Sequence, residues 1–248
     1  MNRRSAFLRV LAGLFLTMLL LSARAGVSAF DEANRLYEQG KYRDAMEAYE
    51  GLLRSGNQSA AVWFNLGNAH YKAGQVGEAV AAYRQAEAIA PRDPDVRANR
   101  EFAQRQVSGP TLHQSALKEA MGRLTVNEWT LLATVPLWAW FGLLIAGQIK
   151  PQLHGTLRRW IWGAGLTALA ASVLMSVAYQ QHYHQTTVVV NSRDTVVRLG
   201  PFDESPSALM ASDGAEFLLH DAKADWYQIS DGQKVLGWLK SNSVVVVK

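Results

Sequence analysis

Residues 129 to 179 constrain this chain most. From Trp129 to Ile149 there is no charged residue; Lys150, Arg158 and Arg159 follow closely, and from Trp160 to Ser192 charge is absent again. A helix needs about 20 mostly apolar residues to cross the hydrocarbon core of a bilayer. Both stretches are that long, so the sequence predicts a transmembrane hairpin: a first helix over 128–149, a loop over 150–159 and a second helix over 160–179. Thr125-Val126-Asn127-Glu128 has the form of a capping box and starts the first helix. Pro136 lies inside it. Gly142 and Ala146 in the first helix, and Ala164, Ala168, Ser172 and Ser176 in the second, place small residues every fourth position, which lets membrane helices approach. From Trp129 to Ile149 and from Trp160 to Ala178 there is no ionisable residue. Proton relays and ion paths through a membrane are built from such groups.

Charge fits the same picture. The chain of 248 residues carries 25 Lys and Arg against 21 Asp and Glu. Residues 1–25 hold Arg3, Arg4, Arg9 and Arg24 with no acid, so they carry the whole formal +4. The remainder balances, with a local surplus around the hairpin loop. Such a distribution follows membrane topology and offers no phosphate-binding face, so nucleic acid is not an expected partner. There is no cysteine, which excludes disulfides, thiolate metal sites and a cysteine nucleophile.

A positive start, the apolar run Val10 to Leu21 and the small-x-small Ala23-Arg24-Ala25 read as a secretory signal peptide over residues 1–25. An uncleaved anchor is the competing reading. The short basic loop belongs in the cytoplasm. With an exported residue 26, two spans return residues 180–248 to the exported side, so both soluble parts face one compartment.

Residues 28–93 contain a repeat of period 34. It pairs Asn34 with Asn68, Tyr37 with Tyr71, Gly40 with Gly74, Ala45 with Ala79, and Ala48-Tyr49 with Ala82-Tyr83. The second copy carries Trp63, Leu66-Gly67, Ala79, Tyr83, Ala86 and Pro91, and resembles the tetratricopeptide repeat. The resemblance implies helix pairs over 28–59 and 60–93. One further helix, Asp95 to Val107, is expected as a solvating cap, closing an all-α unit over 26–107. It also implies a concave face that holds a protein or peptide. By register that face includes Asn34, Tyr37, Phe64, Asn68, Tyr71 and Lys72, each with ordinary packing or solvation as the competing reading. Asn34 and Asn65 match positions of a carboxylate clamp, but Phe30 and Asp95 stand where its lysines are expected, which argues against one.

Residues 108–127 form a linker that opens with Ser108-Gly109-Pro110 and includes a short amphipathic segment over 115–123. Residues 186–248 change to short apolar runs between turn residues. Thr187 to Val190, Val196 to Leu199, Glu216 to His220, Trp226 to Ser230, Val235 to Leu239 and Val244 to Val247 are the expected strands of a small all-β barrel. Val197-Arg198-x-Gly200-Pro201, Trp226-Tyr227 and Gly237-Trp238 resemble the bacterial SH3 domain. That resemblance makes Arg198 and Trp238 candidate surface residues, with barrel core as the competing reading for Trp238 and the favoured one for Trp226. It implies attachment to wall material or to envelope proteins.

No ordered set of residues supports catalysis, and no cofactor is implied. His182-x-His184 lacks a third ligand nearby, so no metal site is expected. P-loop, nucleophile-elbow and HExxH motifs are absent. The chain thus reads as a multidomain protein: tetratricopeptide repeats, two transmembrane helices, then a small SH3-like barrel. In that order it resembles BatE-type proteins of the bacterial aerotolerance (Bat) group. The resemblance implies a non-enzymatic, periplasm-facing scaffold of the inner membrane, associated with stress response and envelope maintenance. Its implied partners are von Willebrand A-domain membrane proteins, with an indirect link to a MoxR-type ATPase. A peptidoglycan-binding anchor is the alternative.

Overall fold

The computed structural model describes residues 29–113, 116–150, 152, 154–184 and 186–247. The proposed leader over 1–25 lies outside them.

Five helices open the described chain: α1 (29–38), α2 (Tyr42–Arg54), α3 (Ala60–Lys72), α4 (Val76–Ile89) and α5 (Pro94–Gln104). Local chemistry starts two of them. The Ser59 hydroxyl accepts from Val62 N at the head of α3, and Asp93 accepts from Asp95 N at 2.9 Å at the head of α5, where Pro94 lacks only a donor the first turn does not use. Tyr49, Val62, Leu66 and Ala69 form a common core with Ala33, Ala45, Met46, Leu52 and Ala82. Gly67 meets the Tyr83 ring so closely that a Cβ there would lie 2.7 Å from it. The small residue is therefore what lets α3 and α4 come together.

A seven-residue helix α6 (Ala116–Gly122) leads to α7 (Val126–Ile149), whose capping box forms: Thr125 Oγ1 accepts from Glu128 N, and the Glu128 carboxylate accepts from Thr125 N at 2.9 Å. α8 runs from His154 to His184. It starts before the expected 160 and ends after 179, so Arg158 and Arg159 are helical and the expected ten-residue loop shrinks to the few residues after Lys150. Both helices are long and apolar enough to cross a membrane, and only 11% of each apolar window is buried. Core helices of a soluble protein would be covered. These leave Leu131, Val135, Trp138, Leu166 and Leu169 exposed.

The seam between α7 and α8 differs in detail from the expected small-residue rows. Ala133, Gly147, Ala168 and Ala178 are buried, and Gly165 packs under Trp140. Gly142 and Ser176 point away: nothing lies near Gly142, and the Ser176 hydroxyl returns to its own helix at Ser172 O. The reason is rotational. An α-helix turns 100° per residue, so a strict four-residue row drifts off a straight seam.

Seven strands follow: β1 (Thr187–Val190), β2 (Thr195–Arg198), β3 (Ser207–Ala211), β4 (Glu216–Lys223), β5 (Trp226–Ser230), β6 (Val235–Lys240) and β7 (Val244–Val247). They form one antiparallel sheet in the order β3-β2-β6-β5-β4-β1-β7. Val197 and Ala211 near one edge share a core with Val188 and Val244 near the other, together with Phe217, Ile229 and Leu239. The sheet is therefore rolled around a single interior, while β3 and β7 remain its two edges. β3 was not expected. Its Ser-Ala-Leu-Met-Ala carries no β-branched or aromatic residue and mostly faces solvent, so the usual strand signals are missing.

The repeats and the sheet do not stand apart. β1 and β7 pack on α4, where Val80, Ala81 and Tyr83 meet Val189 and Val247. A Cβ on Gly77 would overlap the Val190 carbonyl oxygen. Asp213, in the turn before β4, accepts from Gly77 N at 2.8 Å. The N-cap residue of α4, Gln75, makes no side-chain cap of its own, so the sheet domain caps this helix from outside. Burial pushes the Asp213 carboxyl upward, while the Gly77 and Val76 amides pull the other way.

Glu216 of β4 is 2% exposed and lies 3.5 Å from Arg84 and 3.7 Å from Arg100. Arg100 also meets Glu87 at 2.8 Å. The expectation that α5 is a solvating cap needs correction here. Carried on by one period, Leu66 becomes Arg100, a position that faces the second helix of a repeat. No such helix follows α5, and Glu216 of the sheet meets that position instead. The linker is also bound down: Val107 packs on the sheet core, Thr111 Oγ1 accepts from Glu216 N, and His113 N donates to Asp231 O at 2.8 Å.

Candidate partner-binding face of the repeats

The first helices of each repeat, α1, α3 and α5, are tied edge to edge by asparagines. Asn34 Oδ1 accepts from the Tyr49 hydroxyl at 2.7 Å and from Asn65 Nδ2 at 2.9 Å. One period on, Asn68 Oδ1 accepts from the Tyr83 hydroxyl at 2.7 Å and from Asn99 Nδ2 at 3.0 Å. Burial pushes the Tyr49 phenol up to about 12 and the Tyr83 phenol further. Both therefore stay protonated donors at any physiological pH. Asn34 and Asn68 spend their oxygens inward while Asn65 and Asn99 donate through Nδ2, and the amide groups form a polar line along the joined helices.

The other expected face residues divide by role. Phe64 stacks obliquely on Tyr83 with ring centroids 6.0 Å apart, just as Phe30 does on Tyr49 at 6.2 Å. Both rings help seat the second helix of their repeat. Tyr37 leans on Tyr42. Tyr71 meets Phe102 edge-on at 5.6 Å, and its hydroxyl accepts from Gln106 Nε2. Lys72 is exposed, and the rest of the six are half-buried.

The structure thus brings Asn34 and Asn68 into one line and adds Asn65 and Asn99 to it. Asn99 and Phe102 were not singled out in advance. The period of 34 carries both, since it takes Asn65 to Asn99 and Asn68 to Phe102.

On the sheet, Arg198 and Trp238 are direct cross-strand neighbours. The Arg198 guanidinium donates to Ser205 O at 2.7 Å. Trp238 is 6% exposed, with the Lys223 ammonium 5.3 Å from its ring centre. Trp226 is 8% exposed beneath Lys240. Strand alternation puts both indoles on the side opposite Ile229 and Leu239, so neither joins the interior core. They are covered by lysine stems and neighbouring side chains. The Trp238 indole, a candidate surface platform, is therefore largely covered in this structure.

Among the described residues, no group of three or more His, Cys, Asp or Glu is placed to hold a metal ion.

The paired helices, their 34-residue period and the asparagine line decide what the N-terminal unit is. Residues 30–94 match the tetratricopeptide repeat family. No curated protein matches the chain. Among solved structures, the chain is similar to the Yersinia enterocolitica type III secretion chaperone SycD, crystallised with a peptide of the translocator YopD. Identity is 17%, coverage is 59% of this chain and 91% of the chaperone, and the TM-score is 0.31.

Proposed function

We propose that this protein is a membrane-anchored, non-enzymatic scaffold whose tetratricopeptide face holds another protein. One observation carries the reading. The sheet packs on α4, while the face joined by Asn34, Asn65, Asn68 and Asn99 stays part-exposed among the described residues. A repeat unit kept only for stability would have no reason to leave its polar, evenly spaced face open. The hairpin fixes the setting. α7 and α8 are antiparallel neighbours, so the ends that carry the repeats and the sheet share one side of the bilayer. Arg92 of the repeats pairs with Glu128 at the head of α7, which ties the binding unit to the membrane. In this reading the basic hairpin turn lies in the cytoplasm, as short basic loops do, and the soluble unit is periplasmic.

The order of parts supports a Bat-type role beside von Willebrand A-domain membrane proteins, with the MoxR-type ATPase reached through them. Co-purification of the full chain with such a protein from solubilised membranes tests this. Binding is expected, and Asn68→Ala together with Lys72→Glu should reduce it severalfold. Recovery of the A-domain protein in equal yield with wild type and this variant would remove the groove assignment. Deleting the repeats is a poor substitute, because it strands Glu216 and Asp213 without their partners.

A further inference from the structure

We infer that the open end of the repeat stack, the outer face of α5, is an interface to a second copy of this chain. Each junction in the stack uses the same positions: Asn34 of α1 meets Asn65 of α3, and Asn68 of α3 meets Asn99 of α5. One period further, the forward-facing position is Phe102, and among the described residues no further helix of the stack meets it. Phe102 is 55% exposed, with one edge against Tyr71. Around it lie Ala98, Glu101 and Arg105, all exposed. An apolar residue at the position the stack uses for helix–helix contact is what a docking helix requires. The asparagines at the two earlier junctions are satisfied by neighbours of the same chain.

The charges select the occupant. Glu101 and Arg105 flank Phe102, and within one chain they meet only loosely, at 3.8 Å, with side chains 58% and 78% exposed. A twofold axis beside Phe102 sets the ring against its counterpart and brings Glu101 within reach of Arg105 of the second copy, twice over. A twofold interface must be self-complementary in this way. A patch of one sign would instead call for an unlike partner. Two copies anchored in one membrane also share their orientation, and confinement raises their effective concentration.

The test uses the full chain in lipid nanodiscs or mild detergent, with molar mass read by light scattering. Wild type is expected to reach the mass of two copies as concentration rises. Glu101→Arg and Arg105→Glu singly should raise the dimer dissociation constant about tenfold or more, whereas the double variant E101R/R105E should restore it. Far-UV circular dichroism confirms that each variant is folded. Because the chain lacks cysteine, Ala98→Cys supplies a lone thiol, which should cross-link between copies under mild oxidation. A monomer at every concentration overturns the proposal. So does a dimer indifferent to both single charge reversals, which would assign association to the hairpin, or a double variant that fails to recover. The interface adjoins the partner-binding face at Tyr71, and the two are tested separately: loss of A-domain protein binding with no change in mass touches only the partner-binding role.

Discussion

At the scale of single residues, the most informative positions are those where a side chain serves an element it does not belong to. Asp213 is one. It supplies the cap that α4 lacks, from 136 residues away. Asp213→Ala should lower stability by about 1 kcal/mol, the usual worth of an N-cap. Asp213→Asn keeps an acceptor and removes the buried charge, so it should be neutral or mildly stabilising by thermal unfolding. The sign of the pH effect follows from the direction of the shift. A carboxyl raised above its unfolded value of about 3.9 contributes most below that value, and its contribution fades as pH rises through the raised one. The stability difference between wild type and Asp213→Asn should therefore shift against wild type across that window, and a flat difference would contradict this. Gly77→Ala is the sharper probe. On an isolated helix it would help by up to about 1 kcal/mol, but here the new methyl meets the Val190 carbonyl. It should destabilise, with loss of amide-exchange protection concentrated in β1. A stabilised variant would mean that the sheet does not dock at α4.

At the scale of elements, legibility followed locality. The helices of the repeats, the capping box of α7 and six of the seven strands could all be read, because their signals lie within a few residues or recur at a fixed period. Helix ends in the hairpin were less legible. Residues 154–159 and 180–184 are polar, so apolarity could not reveal that α8 runs through them. The helix continues because backbone hydrogen bonding does not stop where the hydrocarbon does. β3 escaped because an exposed edge strand with Ala and Met gives no alternation. The hairpin seam yields a prediction of its own. A Cβ on Gly165 would lie 2.9 Å from Trp140 Nε1. Gly165→Leu should therefore push α7 and α8 apart and lower the detergent resistance of the full chain, while Gly142→Leu, where nothing lies near, should not. Equal effects from the two would reject the seam.

At the scale of the whole molecule, the repeats and the sheet become one body. Glu216 is one link beside the apolar contact of α4 with β1 and β7: a carboxylate 2% exposed, it faces Arg84 and Arg100. Glu216→Ala leaves Arg84 facing the gap while Arg100 keeps Glu87, and loss of one partner of such a buried group costs about 3 kcal/mol. The repeats and sheet should then unfold in separate calorimetric transitions, where wild type shows one. A single transition in the variant would mean that apolar packing between α4, β1 and β7 suffices. Sidedness belongs to this scale too: reporter fusions at residues 110 and 248 should be active outside and one at 154 inside.

The sequence by itself determined the parts and their order. A 34-residue period, two uncharged runs of membrane length and alternating short strands each carry their own structural signal. It also carries the expectation that the soluble parts share one side, because two spans return a chain to where it began. Only the tertiary structure decided which polar groups are spent inward and which remain available. Asn34 and Asn68 were read as face residues, and half of each amide turns out to join one helix to the next. Trp238 was a candidate platform and lies beneath a lysine. Arg100 looked like part of a solvated cap and is paired with a buried glutamate. The physical reason is the same in each case. The state of a polar or aromatic side chain depends on what lies across from it, and those partners are set by packing between segments that no local period connects.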